Sequence, residues 1–363
     1  MSARIRLAAP ETVAHGERET LHKPVFGLFR MEEEIQGGMG MSKLQLSLAC
    51  SVYDRTRPIL EGRVVCEGID LLTIPGLQPE RQWLLSRQHA YDICESSLSS
   101  YLMARNRGFP YIALPIFTHR KFRHGHIFIR TQAGIERPSD LNGRRVGLRT
   151  FQATAGLWAR GILSEHYDVE LSSIEWWTHD TDDIEFTPRP GWKIQRLPVD
   201  QDMEEMFLQG ELDGLIYPRV PRLYGKTDTM QRLFPDYQQE EEQYFQRTGI
   251  FPIMHVLVVR EDLLRRHPWV AMSLMTGFTE AKRLAYADRI NARDLSCAWT
   301  EALIEHERAV LGDDPYPYNV EDNLKTLETL IRYSHEQGLI DRILSVEELF
   351  FQAGDLHYQP RYI

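Results

Sequence analysis

From residue 42 onward, short apolar runs alternate with longer segments of helical periodicity, and this alternation leaves few folds open. "KLQLSLAC" switches between polar and apolar residues, as a half-buried strand does. "DRTRPILEGRV" reads as a loop and a short helix, and "GIDLLTIPGL" as a second strand stopped by Pro75 and Gly76. "ERQWLLSRQHAYDIC" is a helix running into a strand at "YDIC". "ESSLSSYLMARNRG" follows as a helix with serines suited to its start and Gly108 at its end. "YIALPIF" and "HIFIR" are further strands. Strands that alternate with helices predict an α/β fold with a mixed, mostly parallel sheet flanked by helices.

A fresh unit opens near residue 138. In "RPSDLNGRRVGLRTFQATAGLWARGIL", "RRVGL" reads as a buried strand and "TAGLWARGIL" as the helix after it. "IEWWTHD", "WKIQRLP" and "DGLIY" are strands, and "MEEMFLQ" is an amphipathic helix. "EEEQYFQRTGIFPIMHVLVVR" reads as a linker returning to a long strand, and the chain beyond is mostly helical. The 363 residues exceed the size at which one core stops growing, so two lobes are expected. Residues 1–40 carry no such pattern and are expected to form an unstructured extension ahead of "MSKLQLSLAC".

Composition excludes several classes. The net charge of −10 argues against a nucleic-acid partner, which needs a cationic face. No run reaches the roughly 18 apolar residues of a membrane span. Four cysteines without a CxxC pair point to reduced thiols and a cytoplasmic setting. GxGxxG, P-loop and GxSxG motifs are missing, which disfavours nucleotide cofactors and serine-hydrolase chemistry. Nothing in the sequence fixes the oligomeric state; a homo-oligomer is compatible with the late helices.

The segments "EGRV", "GIDL", "YDICESSLSSYL", "FRHGHIFI", "DLNGRRVGLRTFQATAGLWARGIL", "GELDGLIYPR", "TGIFPIMHVLVV" and "EQGL" resemble the 4,5-dihydroxyphthalate decarboxylase family over residue 42 to the C-terminus. The resemblance implies a two-lobed, type II periplasmic-binding-protein-like fold with a ligand cleft between lobes. Lobe 1 would comprise residues 41–136 and 246–363, and lobe 2, inserted, residues 137–245. The implied reaction removes one carboxylate of 4,5-dihydroxyphthalate to give protocatechuate and carbon dioxide. A solute-binding or sensing protein for an aromatic carboxylate, or a lyase on a related hydroxybenzoate, are the alternatives, because fold alone does not fix function.

Ligands of open α/β sheets sit beyond the carboxyl ends of the strands. That rule selects Tyr53–Arg55, Glu95–Ser97, His119–His126, Thr150–Thr154, Tyr217–Arg219 and Thr248–His255. Arg55, Arg120, Arg123, Arg149 and Arg219 lie in them and suit carboxylates, since a guanidinium can grip both oxygens. Tyr53, Ser96, Ser97, Gln152 and Thr154 are further candidates for holding the substrate. An aryl carbanion is too unstable to form directly. A hydroxyl para to the departing carboxylate can instead push electrons into the ring while the carboxylated carbon takes a proton. This needs an acid near the ring and an acceptor near the phenol, and no organic cofactor. His255 is the first catalytic candidate, Glu95 the second, as acid, base or phenol acceptor, and His124 a further one. "HRKFRHGH" (119–126) holds three histidines and three cations. It would serve as an anion pocket with Arg123 and His124, as a basic surface turn, or as part of a divalent-metal site of His119, His124, His126 and His255.

Overall fold

The structure is a computed structural model that describes residues 42–74, 84–85, 88–198, 200–290 and 297–352. The extension 1–40, Pro75 and Gly76 lie outside these residues. In chain order the first lobe contributes strand β1 (Leu44–Ala49), helix α1 (Arg57–Leu60), β2 (Ile69–Ile74), β3 (Ile93–Ser97), α2 (Leu98–Asn106) and β4 (Tyr111–Arg120). The region that carries the second sheet follows with β5 (Ile127–Arg130), β6 (Arg145–Leu148), α3 (Thr154–Tyr167), β7 (Glu175–Thr178), β8 (Lys193–Arg196), α4 (Met203–Gln209), β9 (Gly214–Ile216), β10 (Met230–Arg232) and α5 (Tyr237–Thr248). The chain then returns through β11 (Ile253–Arg260) to α6 (Glu261–Arg266), α7 (Trp269–Ile290), α8 (Thr300–Leu311) and α9 (Leu324–Glu336).

Two mixed sheets result, with strand orders β2-β1-β3-β11-β4 and β10-β5-β9-β6-β7-β8. β1 runs parallel to β2 and β3, while β11 enters antiparallel between β3 and β4. β6 is parallel to β7 and β9, and the β5–β9 and β5–β10 pairs are antiparallel. The segment from Glu240 onward, read from sequence as a linker, belongs to a helix over Tyr237–Thr248. Its all-polar "QQEEEQ" start hid the pattern, and only Tyr244 of the helix is buried. "HRKFRHGH" is not one strand: His119 and Arg120 end β4, and His124–His126 form a short 3₁₀ turn before β5.

The sequence explains the main supports. β3, "ICESS", is buried at every position, so its polar end can be tolerated only with internal partners. In α7, Val270, Leu274, Phe278 and Ala281 recur at helical spacing and pack with Leu46, Leu48 and Val259 on one face of the first sheet. On the other face, α2, α3 and α9 share one continuous core that runs from the first lobe into the second. Gly161 of α3 lies flat under the Tyr333 ring of α9, where an added Cβ would collide with that ring. Asp202 accepts from the backbone N–H groups of Glu204 and Glu205 and so caps α4. Gly210, at φ +82°, ends that helix in the left-handed region. No helix among the described residues is long and apolar enough to cross a membrane.

Candidate active site

The polar end of β3 meets its partners where β11 is inserted. His255 stands opposite Ser97 of β3 and opposite His119 of β4, and the β11–β4 register shifts on either side of it. Such irregularities re-aim side chains next to functional sites. His255 Nδ1 lies 2.6 Å from Glu95 Oε1. The same oxygen accepts from the Tyr53 hydroxyl at 2.7 Å and the Thr118 hydroxyl at 3.1 Å. Glu95 Oε2 accepts from the Ser51 N–H at 2.7 Å. Glu95 is 1% exposed, so these donors replace water around a buried carboxylate. An acceptor-only carboxylate at Nδ1 places the ring proton on that nitrogen, which leaves Nε2 available to the cavity that His255 lines.

The Tyr53 phenol is pushed far above its ordinary value by burial and by the Glu95 charge, so it stays an O–H donor. His119 stacks on Tyr53, with ring centroids 5.5 Å apart, and its centroid lies 5.0 Å from that of His255. Burial, reinforced by His255, pushes His119 down to about 3. His255 therefore holds the carboxylate, and the neighbouring His119 stays neutral.

His119 and His255 of this cluster line one wall of a cavity of about 260 Å³ between the two sheets. Opposite lie Arg149, at the end of β6, the residues Ala153–Gly156 that begin α3, and Arg219, beyond β9. No side chain caps the start of α3, so its first N–H groups and the positive end of its dipole face the cavity. Ser97 and Thr154 also line it and hydrogen-bond to each other across the lobes at 2.7 Å. Arg123 lines it from the lower edge. It is 1% exposed and donates to the Tyr217 carbonyl at 2.7 Å, and its Nε has no partner. Burial lowers its pKa to about 10, so the guanidinium remains charged at neutral pH. The cavity thus offers cations and N–H donors for carboxylates on one side and two imidazoles on the other.

Of the sequence candidates, Tyr53, Glu95 and His255 join the cluster, and Ser97, Arg123, Arg149, Thr154 and Arg219 line the cavity with His119 and His255. Others lie elsewhere. Arg55 stacks 3.6 Å above the Tyr316 ring in a second, outer cavity that Arg120 and His126 also line. Gln152 is spent on the local loop, donating to Asp183 and accepting from the Ile184 N–H. Ser96 is buried within β3. His124 faces Tyr167, Phe234 and Tyr244, with both ring nitrogens lacking partners. A strand through 124–126 would have put His124 and His126 on one face; the 3₁₀ turn separates them instead. Among the described residues no three His, Cys, Asp or Glu side chains are grouped to hold a metal ion, so the four-histidine set is not assembled. Ser51 and Thr118 escaped the sequence reading. Their signal, a hydroxyl or free N–H at a strand end, is too common to single out.

Among solved structures, the chain is similar to the periplasmic aliphatic sulphonate binding protein from Escherichia coli, with a TM-score of 0.51, 13% identity and coverage of 86% of this chain and 98% of that one. It is also similar to an alkanesulfonate-binding protein from Xanthomonas axonopodis pv. citri, with a TM-score of 0.52, 12% identity and coverage of 86% and 99%. These likenesses define the class by fold: a two-lobed, periplasmic-binding-protein-like α/β protein. No family model matches the chain. Among curated proteins, a 4,5-dihydroxyphthalate decarboxylase of Comamonas testosteroni is 34% identical over 324 residues, covering 86% of this chain and 98% of that protein. One of Pseudomonas putida is 39% identical over 196 residues, covering 51% and 74%. The chain belongs to the 4,5-dihydroxyphthalate decarboxylase family.

Proposed function

We propose that this chain is a carboxy-lyase that converts 4,5-dihydroxyphthalate to protocatechuate and carbon dioxide, using its own side chains. Beyond family membership, the observation that carries the reading is the buried Glu95–His255 pair at the wall of a cation-lined cavity. Binding an anion does not require such a pair, whereas delivering a proton to a ring carbon does.

In this reading, Arg123, the start of α3, Ser97 and Thr154 hold the carboxylates, with Arg149 and Arg219 at the opening. The ring lies against His119 and His255. The para hydroxyl donates its hydrogen bond to neutral His119 and pushes electron density to the carboxylated carbon. His255, entering the step as the imidazolium with its Nδ1–H held by Glu95, passes its Nε2 proton to that carbon and becomes neutral. The carbon–carboxylate bond then breaks, carbon dioxide leaves, and its electron pair restores the aromatic ring. One proton is consumed per turnover, and solvent returns it to His255. Glu95 fixes the His255 ring and stabilises positive charge on it. All four cysteines are free thiols and three are buried, which supports a reducing, cytoplasmic setting.

The test is incubation of the purified protein with 4,5-dihydroxyphthalate. Equal amounts of carbon dioxide and protocatechuate are expected. Saturable binding without either product would replace this reading with that of a binding or sensing protein.

A further inference from the structure

Next to the reaction cavity, with His119 lining both, lies a second cavity of about 560 Å³ that Tyr53 also lines. Its size falls in the roughly 300–1,000 Å³ range of small-molecule sites. Two arginines of its lining are almost fully buried, Arg55 at 4% exposed and Arg120 at 5%, and the Nε of each has no partner. The Arg120 guanidinium donates to the Phe251 carbonyl and the Asn323 side chain, both neutral, so no carboxylate bonds this buried cation. Lys121 and Arg232 also line the space.

The lining acids offset only part of this charge. Asp54 is held by Arg55 at 2.7 Å and by Arg289 at 3.0 Å. Glu241 accepts the Gly125 N–H at 3.0 Å, and burial pushes its pKa up to about 7. The remaining walls are aromatic. Phe122 and Phe251 stack at 4.6 Å, and Tyr316 lies beneath the Arg55 guanidinium. Buried, incompletely bonded cations between aromatic faces suit a ligand that carries a carboxylate on a ring.

We propose that this outer cavity is a second binding site for single-ring aromatic carboxylates, where the substrate waits before reaction or the product pauses after it. The assignment of these two roles rests on the inner cavity being the reaction chamber; the binding itself does not. His119 lines both sites and stands between them.

Equilibrium dialysis with labelled phthalate tests this, because phthalate lacks the para hydroxyl and cannot react by the proposed route. Two molecules per chain are expected. Val220→Glu, at an exposed position of the outer wall, and Lys121→Met should each weaken one of the two at least tenfold, leaving kcat within twofold of wild type. A parallel titration with protocatechuate separates the roles: an outer site preferring phthalate is an entry station, and one preferring protocatechuate is an exit station. One molecule per chain for both probes, or two that neither substitution weakens, would overturn the proposal. A His255→Ala protein that still turns over while both sites remain would instead sink the inner-chamber reading alone.

Discussion

Glu95→Gln is the sharpest probe of the central cluster. The Glu95 carboxylate is buried and accepts from four donors: the Ser51 N–H, the Tyr53 and Thr118 hydroxyls and His255 Nδ1. Glutamine keeps the size but removes the charge, and it turns one acceptor oxygen into an NH₂ group that must face a donor. Hydrogen bonds to charged groups contribute about 1.5–3 kcal/mol against about 0.5–1.5 for neutral ones, so a loss of about 1 kcal/mol at each donor predicts destabilisation of about 3–5 kcal/mol. The effect on catalysis has a separate origin. An amide at Nδ1 no longer fixes the His255 proton there, so the acid–base contribution of about 10²–10⁴ in rate is forfeited. That corresponds to about 2.7–5.4 kcal/mol in the barrier. The assay is single-turnover release of protocatechuate at low temperature, with phthalate binding and a melting curve measured on the same sample. Binding within a few fold of wild type and a rate lower by at least a hundredfold are expected. A folded variant with a rate within tenfold of wild type would refute the reasoning.

Other consequences are as direct. Arg123→Ala removes the buried guanidinium from the cavity edge and should raise KM by about tenfold or more, the equivalent of one charge-assisted bond; an unchanged KM would place the carboxylates elsewhere. His119, His124 and His126 are each pushed down to about 3 by burial, from an ordinary 6.5, so unfolding takes up protons in this range. Stability should therefore fall as pH drops from about 6.5 towards 3. Glu241, raised to about 7, opposes this between about 4.5 and 7, one group against three. His124→Phe removes two unpartnered nitrogens from an aromatic enclosure, and chemical denaturation should show a gain of about 1–3 kcal/mol at pH 7 and a flatter acid limb; a loss at pH 7 would mean that the ring has a polar partner. Gly161→Ala should destabilise by about 1–3 kcal/mol through its collision with Tyr333, and Tyr333→Leu in the same chain should restore part of that loss; equal stability of Gly161→Ala and wild type in denaturant would contradict the packing.

The fold was largely legible because its strands announce themselves by alternation and its helices by period. β1, β6 and β11 fall where "KLQLSLAC", "RRVGL" and "IMHVLVVR" place them. α5 was missed because a helix lying on the surface needs little apolar pattern, and the six consecutive polar residues after Tyr237 carry none. Strand-end reasoning also singled out Glu95 and His255, which the structure pairs where β11 lies antiparallel between β3 and β4. It could not separate the histidines of "HRKFRHGH". Two residues of turn decide whether a ring enters the cleft or an aromatic core, and sequence spacing does not encode that turn. His119 emerges beside His255 only because β11 is inserted antiparallel next to β4, a pairing between residues 136 positions apart in sequence. The arginines were similarly ambiguous, with Arg55 and Arg120 turning to the outer cavity and Arg123 to the inner one.

The central claim is that an imidazole, locked by a buried carboxylate, gives its proton to the ring of an anion-held substrate. Its most direct measurement compares carbon dioxide release from 4,5-dihydroxyphthalate by wild type and His255→Ala, with phthalate affinity determined for both. Loss of at least a hundredfold in kcat with affinity kept within about fivefold is predicted. Undiminished kcat in the folded variant would contradict it.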